Sequence, residues 1–339
     1  MDSVLNCMVS DLIGPGNLVH ELEFMVAQYL GVQGGIAFSS YYIALMIAVE
    51  TLELQPGDRV IISALAPALY LNILEAEGLE PLILDVNQDS GLMEPAEIEK
   101  ILDQNPKAMI LHHTLGYLPV IDEFLKFNLP VIEDISHCFG SALLPASAEE
   151  TAAAPPKRFF GSFGDLAVLS FKPQDIITTA EGGMVLAHDK KYWQKLKSIK
   201  DVVQDNLLMP DMNASLGLSQ MKTLDIIQEK RRSIYNTYKQ ALMKSRHKTL
   251  FQPEEYEKIP YSFPVFISSG LKDVQKYCRK KNIETVQAFS HSITAMKEDV
   301  QNSCKNAKTL LMCTILFPLY PMLGKEQINT ITRVLSTMP

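Results

Sequence analysis

The sequence has little cysteine and no cysteine pattern. Its five cysteines, Cys7, Cys138, Cys278, Cys304 and Cys313, are odd in number, far apart and without a Cys-x-x-Cys pair. That argues against a disulfide framework and a zinc site, and it fits reduced thiols in a cytoplasmic protein. A long hydrophobic run is also missing. The longest apolar stretch, Leu310 to Leu323, is broken by two prolines and is shorter than the ~20 residues of a spanning helix, so no membrane segment is expected. The opening "MDSVLNCMVSDLIG" has no Lys or Arg ahead of an apolar run, so no secretory signal is expected. Positive charge is not in excess either. A net charge of −8 disfavours nucleic acid and anionic membranes as partners, and the two basic clusters, "EKRR" and "CRKK", read as solvated helix faces.

What is present is a globular chain of 339 residues, 47% hydrophobic and 21% charged, long enough for a large domain and a smaller one. Between Gly35 and Ala187 lie seven short apolar runs: "GGIAF", "DRVIISA", "EPLILDV", "KAMILHH", "PVIEDIS", "DLAVLSF" and "GMVLAH". Helical segments separate them, one over about Ile43 to Glu53. This rhythm predicts an α/β fold with a mostly parallel seven-stranded sheet, whose ligands would sit at the carboxyl ends of the strands. The segment Pro145 to Arg158, rich in Ala, Glu and Pro, reads as a surface loop. Leu216 to Lys244 has helical spacing and reads as one long helix. Strands in "IPYSFPVFISSG" and "CTILFPLYP" and helices in "LKDVQKYCRKKN" and "KEQINTITRVLSTM" make a smaller α+β domain. The boundary is placed at 240/241, giving domains 1–240 and 241–339.

Six blocks then occur in order: "LQPGDRVIISALAPALYLNILEAEGLEPLILDV", "VIEDISHCFGS", "GSFGDLAVLSF", "AEGGMV", "ASLGLSQMKTLDIIQEKRR" and "ILFPLYPMLGKEQINTITRVL". Together they resemble the sugar-nucleotide aminotransferases of the DegT/StrS type, from about Gly14 to the C-terminus. The resemblance implies the fold type I architecture of pyridoxal phosphate (PLP) enzymes and a homodimer with shared active sites. It also implies a role in making amino or deoxy sugars for surface polysaccharides or secondary metabolites, with PLP or its amine form PMP as cofactor. Asp134 would face the pyridine nitrogen, His137 would lie beside the ring, and Ser170 and the other subunit's Asn206 would hold the phosphate. Taken without the resemblance, each has a plainer reading. Asp134 can cap a helix, His137 can be a satisfied, partly buried histidine, and Ser170 and Asn206 can be ordinary polar residues. His112 and His113, at the same rim, either line the substrate cleft or sit in a loop.

The chain departs from the pattern where the chemistry is concentrated. The family writes the turn after the "DLAVLSF" strand as Ser-Phe-x-Pro-x-Lys, with the lysine forming the Schiff base; here it reads "SFKPQD", with Asp175 in that place. A carboxylate cannot form an imine. The phosphate turn, small in the family, reads "SSYYIAL" and puts Tyr41 and Tyr42 in the cup. Pro67 replaces the aromatic residue that stacks on the cofactor, and Leu208 replaces an arginine expected two residues after Asn206. Lys172, three residues before the lost lysine, is either a substitute amine or a solvated side chain. Asp175 is either a base for lysine-independent dehydration or no catalyst, since a carboxyl of ordinary pKa is a weak base toward carbon acids. Two functions follow: an enzyme acting on nucleotide sugars through Lys172 or Asp175, or a degenerate member that binds a ligand or a partner. The joint loss of lysine, cup and stacking face favours the second.

Overall fold

The computed structural model describes residues 2–10, 13–144, 157–253, 256–268 and 270–339. The expected loop 145–158 lies almost wholly outside them. Thirteen strands are defined among the described residues: β1 Gly34–Phe38, β2 Arg59–Ser63, β3 Glu80–Leu84, β4 Pro106–His112, β5 Val131–Asp134, β6 Ala142–Leu143, β7 Arg158–Phe159, β8 Leu166–Ser170, β9 Gly183–Ala187, β10 Tyr256–Glu257, β11 Phe263–Phe266, β12 Val286–Gln287 and β13 Thr314–Phe317. Seven of them form one sheet in the order β1-β9-β8-β5-β4-β2-β3. The pairings from β8 to β3 are parallel, while β9 runs antiparallel to both β1 and β8. This is the α/β architecture of fold type I, and each of the seven apolar runs supplies one strand. Strands β1, β5, β8 and β9 are buried along their whole length, which is why they read as continuous apolar runs with no alternation.

Two apolar clusters sandwich the sheet, one including Ile36, Ile62, Ile110 and Val168 and the other Ala37, Ile61, Met109 and Leu169. Neighbouring residues on a strand fall in opposite clusters because side chains alternate across the pleat. A third cluster, built on Phe263, Val265, Ile315 and Phe317, packs the C-terminal sheet β11-β13-β12 against the helices Leu224–Leu242 and Lys325–Thr337.

The long helix expected over 216–244 is two helices, Asp211–Met221 and Leu224–Leu242. Lys222 and Thr223 make the break. Thr223 leaves helical geometry, with φ −121° and ψ 17°, a corner that spacing alone does not reveal because apolar residues continue on both sides. The "EKRR" cluster also needs correcting. Arg232 lies near the surface and pairs with Glu257, but Arg231 is only 3% exposed.

Candidate active site

The parallel strands β4, β5 and β8 end in His112, Asp134 and Ser170. These ends form one rim, as expected for a ligand site on an open α/β sheet. The helix Tyr41–Thr51 follows β1 and brings its N-terminus to the same rim, with the Ser40 hydroxyl accepting the Ile43 amide. The glycines of "EGG" allow that approach. Gly182 has φ +145°, and a Cβ on Gly183 would lie 2.7 Å from the Tyr41 Cα.

Asp134 is the centre of the rim and is 1% exposed. Its Oδ2 accepts hydrogen bonds from the Tyr41 and Tyr70 hydroxyls, each at 2.5 Å. Its Oδ1 accepts the Ser136 hydroxyl at 2.6 Å and the Ser136 amide at 3.1 Å. Burial works to raise its pKa, but His112 and the Ser136, Tyr41 and Tyr70 donors outweigh it and hold the carboxyl below the usual range. Burial and the facing carboxylate push both phenols well up, so they stay protonated and serve as donors.

Asp175 lies in the turn after β8. Its Oδ2 accepts the Lys172 amide at 2.8 Å, and Ser170 donates to it as well. Burial pushes its pKa up to about 7, with those donors and the Lys172 ammonium offsetting only part of the cost. Lys172 is exposed and sets its Nζ 4.7 Å from the centre of the Tyr41 ring. Beneath the turn, Arg231 donates to the carbonyls of Asp175, Pro260, Tyr261 and Leu319. It ties the turn to the segment carrying Tyr261. The Tyr261 ring stacks on His137 at 3.9 Å between centroids, and His112 meets His137 edge-on at 5.1 Å. Burial drives the His137 pKa down to about 3, so the ring is neutral at physiological pH.

Asp134, Ser170, Asp175, Lys172, His137 and Tyr41 are thus gathered at one place. The other residues singled out in the sequence lie differently. Tyr42 turns outward, 41% exposed, because consecutive residues on a helix point about 100° apart. Asn206 is exposed on a short turn at 205–207. Pro67 bridges to Ser292, and the following amide, Ala68, donates to His291. His113 is fully buried against Glu133, which also accepts the amides of Gly161, Phe163 and Gly164. It supports the rim without lining it. Sequence reasoning missed Tyr70, Ser136, Tyr261 and Arg231. Tyr70, in "ALAPALY", carried the available signal: a polar aromatic in the first turn of a helix, next to the expected cofactor wall.

Across residues 1–336 the sequence matches the pattern of the DegT/DnrJ/EryC1/StrS aminotransferase family. The chain belongs to that family. The GDP-perosamine synthase of Escherichia coli O157:H7 is 26% identical over 96% of this chain and 91% of its own length. That of Caulobacter vibrioides is 28% identical over 71% of this chain and 66% of its own length. Among solved structures, an aminotransferase from Psychrobacter cryohalolentis superposes with a TM-score of 0.87 at 21% identity, covering 98% of this chain and 94% of that one. A protein from Streptococcus pneumoniae solved in a PLP form superposes with a TM-score of 0.86 at 20% identity, covering 99% and 94%.

PLP would need an amine for its aldehyde and an acceptor for its ring nitrogen. Position 175 carries no amine. All four lone pairs of Asp134 are engaged, two of them by the phenols of Tyr41 and Tyr70 and two by Ser136. In this arrangement position 175 offers no Schiff-base amine, and Asp134 has no unengaged lone pair for a ring nitrogen.

Proposed function

We propose that this chain works in nucleotide-sugar biosynthesis as a member of its family with a degenerate active site, one that does not carry out lysine-dependent transamination. Its role is to bind a sugar nucleotide or an active partner subunit, as a homodimer in the cytoplasm. The observation that carries this reading is the double capture of Asp134 Oδ2 by Tyr41 and Tyr70: the carboxylate the family turns toward a pyridinium is turned toward the protein's own side chains. The GDP-perosamine synthases among its relatives support the sugar-nucleotide setting. The test is to add PLP to the purified protein, reduce with borohydride and weigh the product. The expected result is the spectrum of free PLP and an unchanged protein mass. A reduced adduct on Lys172 would overturn the reading and restore an aminotransferase. The converse experiment restores the family's residue types with Tyr41→Gly and Asp175→Lys, and this variant should form a borohydride-reducible imine.

One observation favours a second reading, lysine-independent dehydration on PMP. A carboxyl poised at about 7 is in the range of a useful general base, so Asp175 has the acidity that role needs. It requires Tyr41 to withdraw from Asp134. A cofactor spectrum perturbed by the protein, with no adduct after borohydride, would select it.

A further inference from the structure

A cavity lies away from this rim, at the outer edge of β1 between the helices Asn17–Leu30 and Lys190–Lys200. It measures about 550 Å³, within the range of small-molecule sites. Trp193, Lys197, Lys200 and Asp201 reach it from one helix, and His20 and Glu23 from the other. The spacing of 193, 197, 200 and 201 puts the four side chains on one helical face.

Each wall has a defined state. The indole of Trp193, the only tryptophan of the chain, presses on the β1 backbone where Gly34 leaves room; a Cβ there would stand 2.6 Å from the ring. Glu23 is 8% exposed and fully engaged. It accepts the Ala37 amide at 2.8 Å and the Lys200 Nζ at 3.4 Å, and it pairs with the His20 Nδ1 at 3.1 Å. The Lys200 charge is therefore already compensated, and His20 is held in place. Lys197 differs: its Nζ lies 5.4 Å from the Trp193 ring centre, and it forms no ion pair among the described residues. One ammonium without an ion-pair partner lies over the Trp193 ring, whose other side is against Gly34, with Asp201 at the rim limiting how much negative charge the site accepts.

We infer that this cavity binds a nucleoside monophosphate, the base taking the place of the Lys197 ammonium over Trp193 and the phosphate held by that displaced ammonium. Aromatic stacking accepts any base, and a single free ammonium suits a single phosphate. Asp201 disfavours a longer polyanion. The inference does not depend on the reading of the Asp134 rim.

Trp193 reports on its own site, so the test is its fluorescence during titration with AMP, corrected against free tryptophan. Saturable quenching with a Kd below about 1 mM is expected, weakening about tenfold in Lys197→Ala. Lys197 is exposed, so that variant folds, and circular dichroism checks it. Ribose 5-phosphate should leave the fluorescence unchanged, and pyrophosphate at equal concentration should not displace AMP. Absence of saturable quenching, an unchanged Kd in Lys197→Ala, or displacement by pyrophosphate would each overturn the inference. None of these readouts involves PLP.

Discussion

Removing the Tyr41 hydroxyl isolates the contact on which the functional reading rests. Tyr41→Phe keeps the ring, so no cavity opens and the transfer of apolar surface is unchanged. It deletes one donor to a carboxylate that is 1% exposed and held ionised. A hydrogen bond to a buried charge contributes about 1.5–3 kcal/mol, and that is the expected loss of stability, measured as a fall in the urea midpoint multiplied by the m-value. The control is Tyr42→Phe on the same helix. That ring is 41% exposed, so its loss should stay within about 0.5 kcal/mol. The double variant Tyr41→Phe/Tyr70→Phe strips Oδ2 of both donors and should cost more than the sum of the single changes, because an unsatisfied buried charge is left. The pH dependence has a worked sign. Asp134 has a depressed folded pKa, so its contribution is present above the unfolded value of about 3.9 and is lost as the pH falls through the lower folded value. If Tyr41→Phe and Tyr42→Phe cost the same, Tyr41 does not hold Asp134 and the filled-site argument fails.

Three further outcomes follow from buried charges. Asp175, raised to about 7, favours folding below the unfolded pKa and loses that contribution as the pH rises through 7. Asp175→Asn should therefore flatten the decline in stability between pH 5 and 8, seen in urea midpoints at both pH values. Glu133→Gln places an amide where the Gly161 amide and His113 need an acceptor, and should cost about 3–5 kcal/mol in the same assay. The Lys258 Nζ is buried without a hydrogen-bond partner, 3.0 Å from the Tyr117 ring centre, and burial pushes its pKa well down. Burial therefore penalises its charged form, so Lys258→Met should raise the urea midpoint at pH 7, and by less as the pH rises.

The seven strands were legible in the sequence because parallel strands buried on both faces are apolar along their length, and no other soluble element writes that pattern at such short intervals. Asp134 could be placed at the mouth of the sheet for a related reason, since it follows the apolar residues of its strand, whereas Ser170 was assigned to the site only through the family resemblance. The substitution at Asp175 was equally plain, since the absence of an amine is a property of the residue and needs no coordinates. The direction of a side chain is different, because it depends on which partner the fold brings within 3 Å. Tyr41 and Tyr42 are adjacent and chemically identical, yet one enters the rim and the other meets solvent, because the helix turns by about 100° between them. Arg231 shares a charge cluster with Arg232, and only packing against residues 260–261 and 319, far along the chain, makes one a buried brace and the other a surface ion pair. Tyr70 reaches Asp134 across 64 residues of sequence. Composition and order therefore determined the family's fold and the loss of the lysine, while the tertiary structure alone decided what now occupies the place in front of Asp134, since long-range contacts leave no local mark on the sequence.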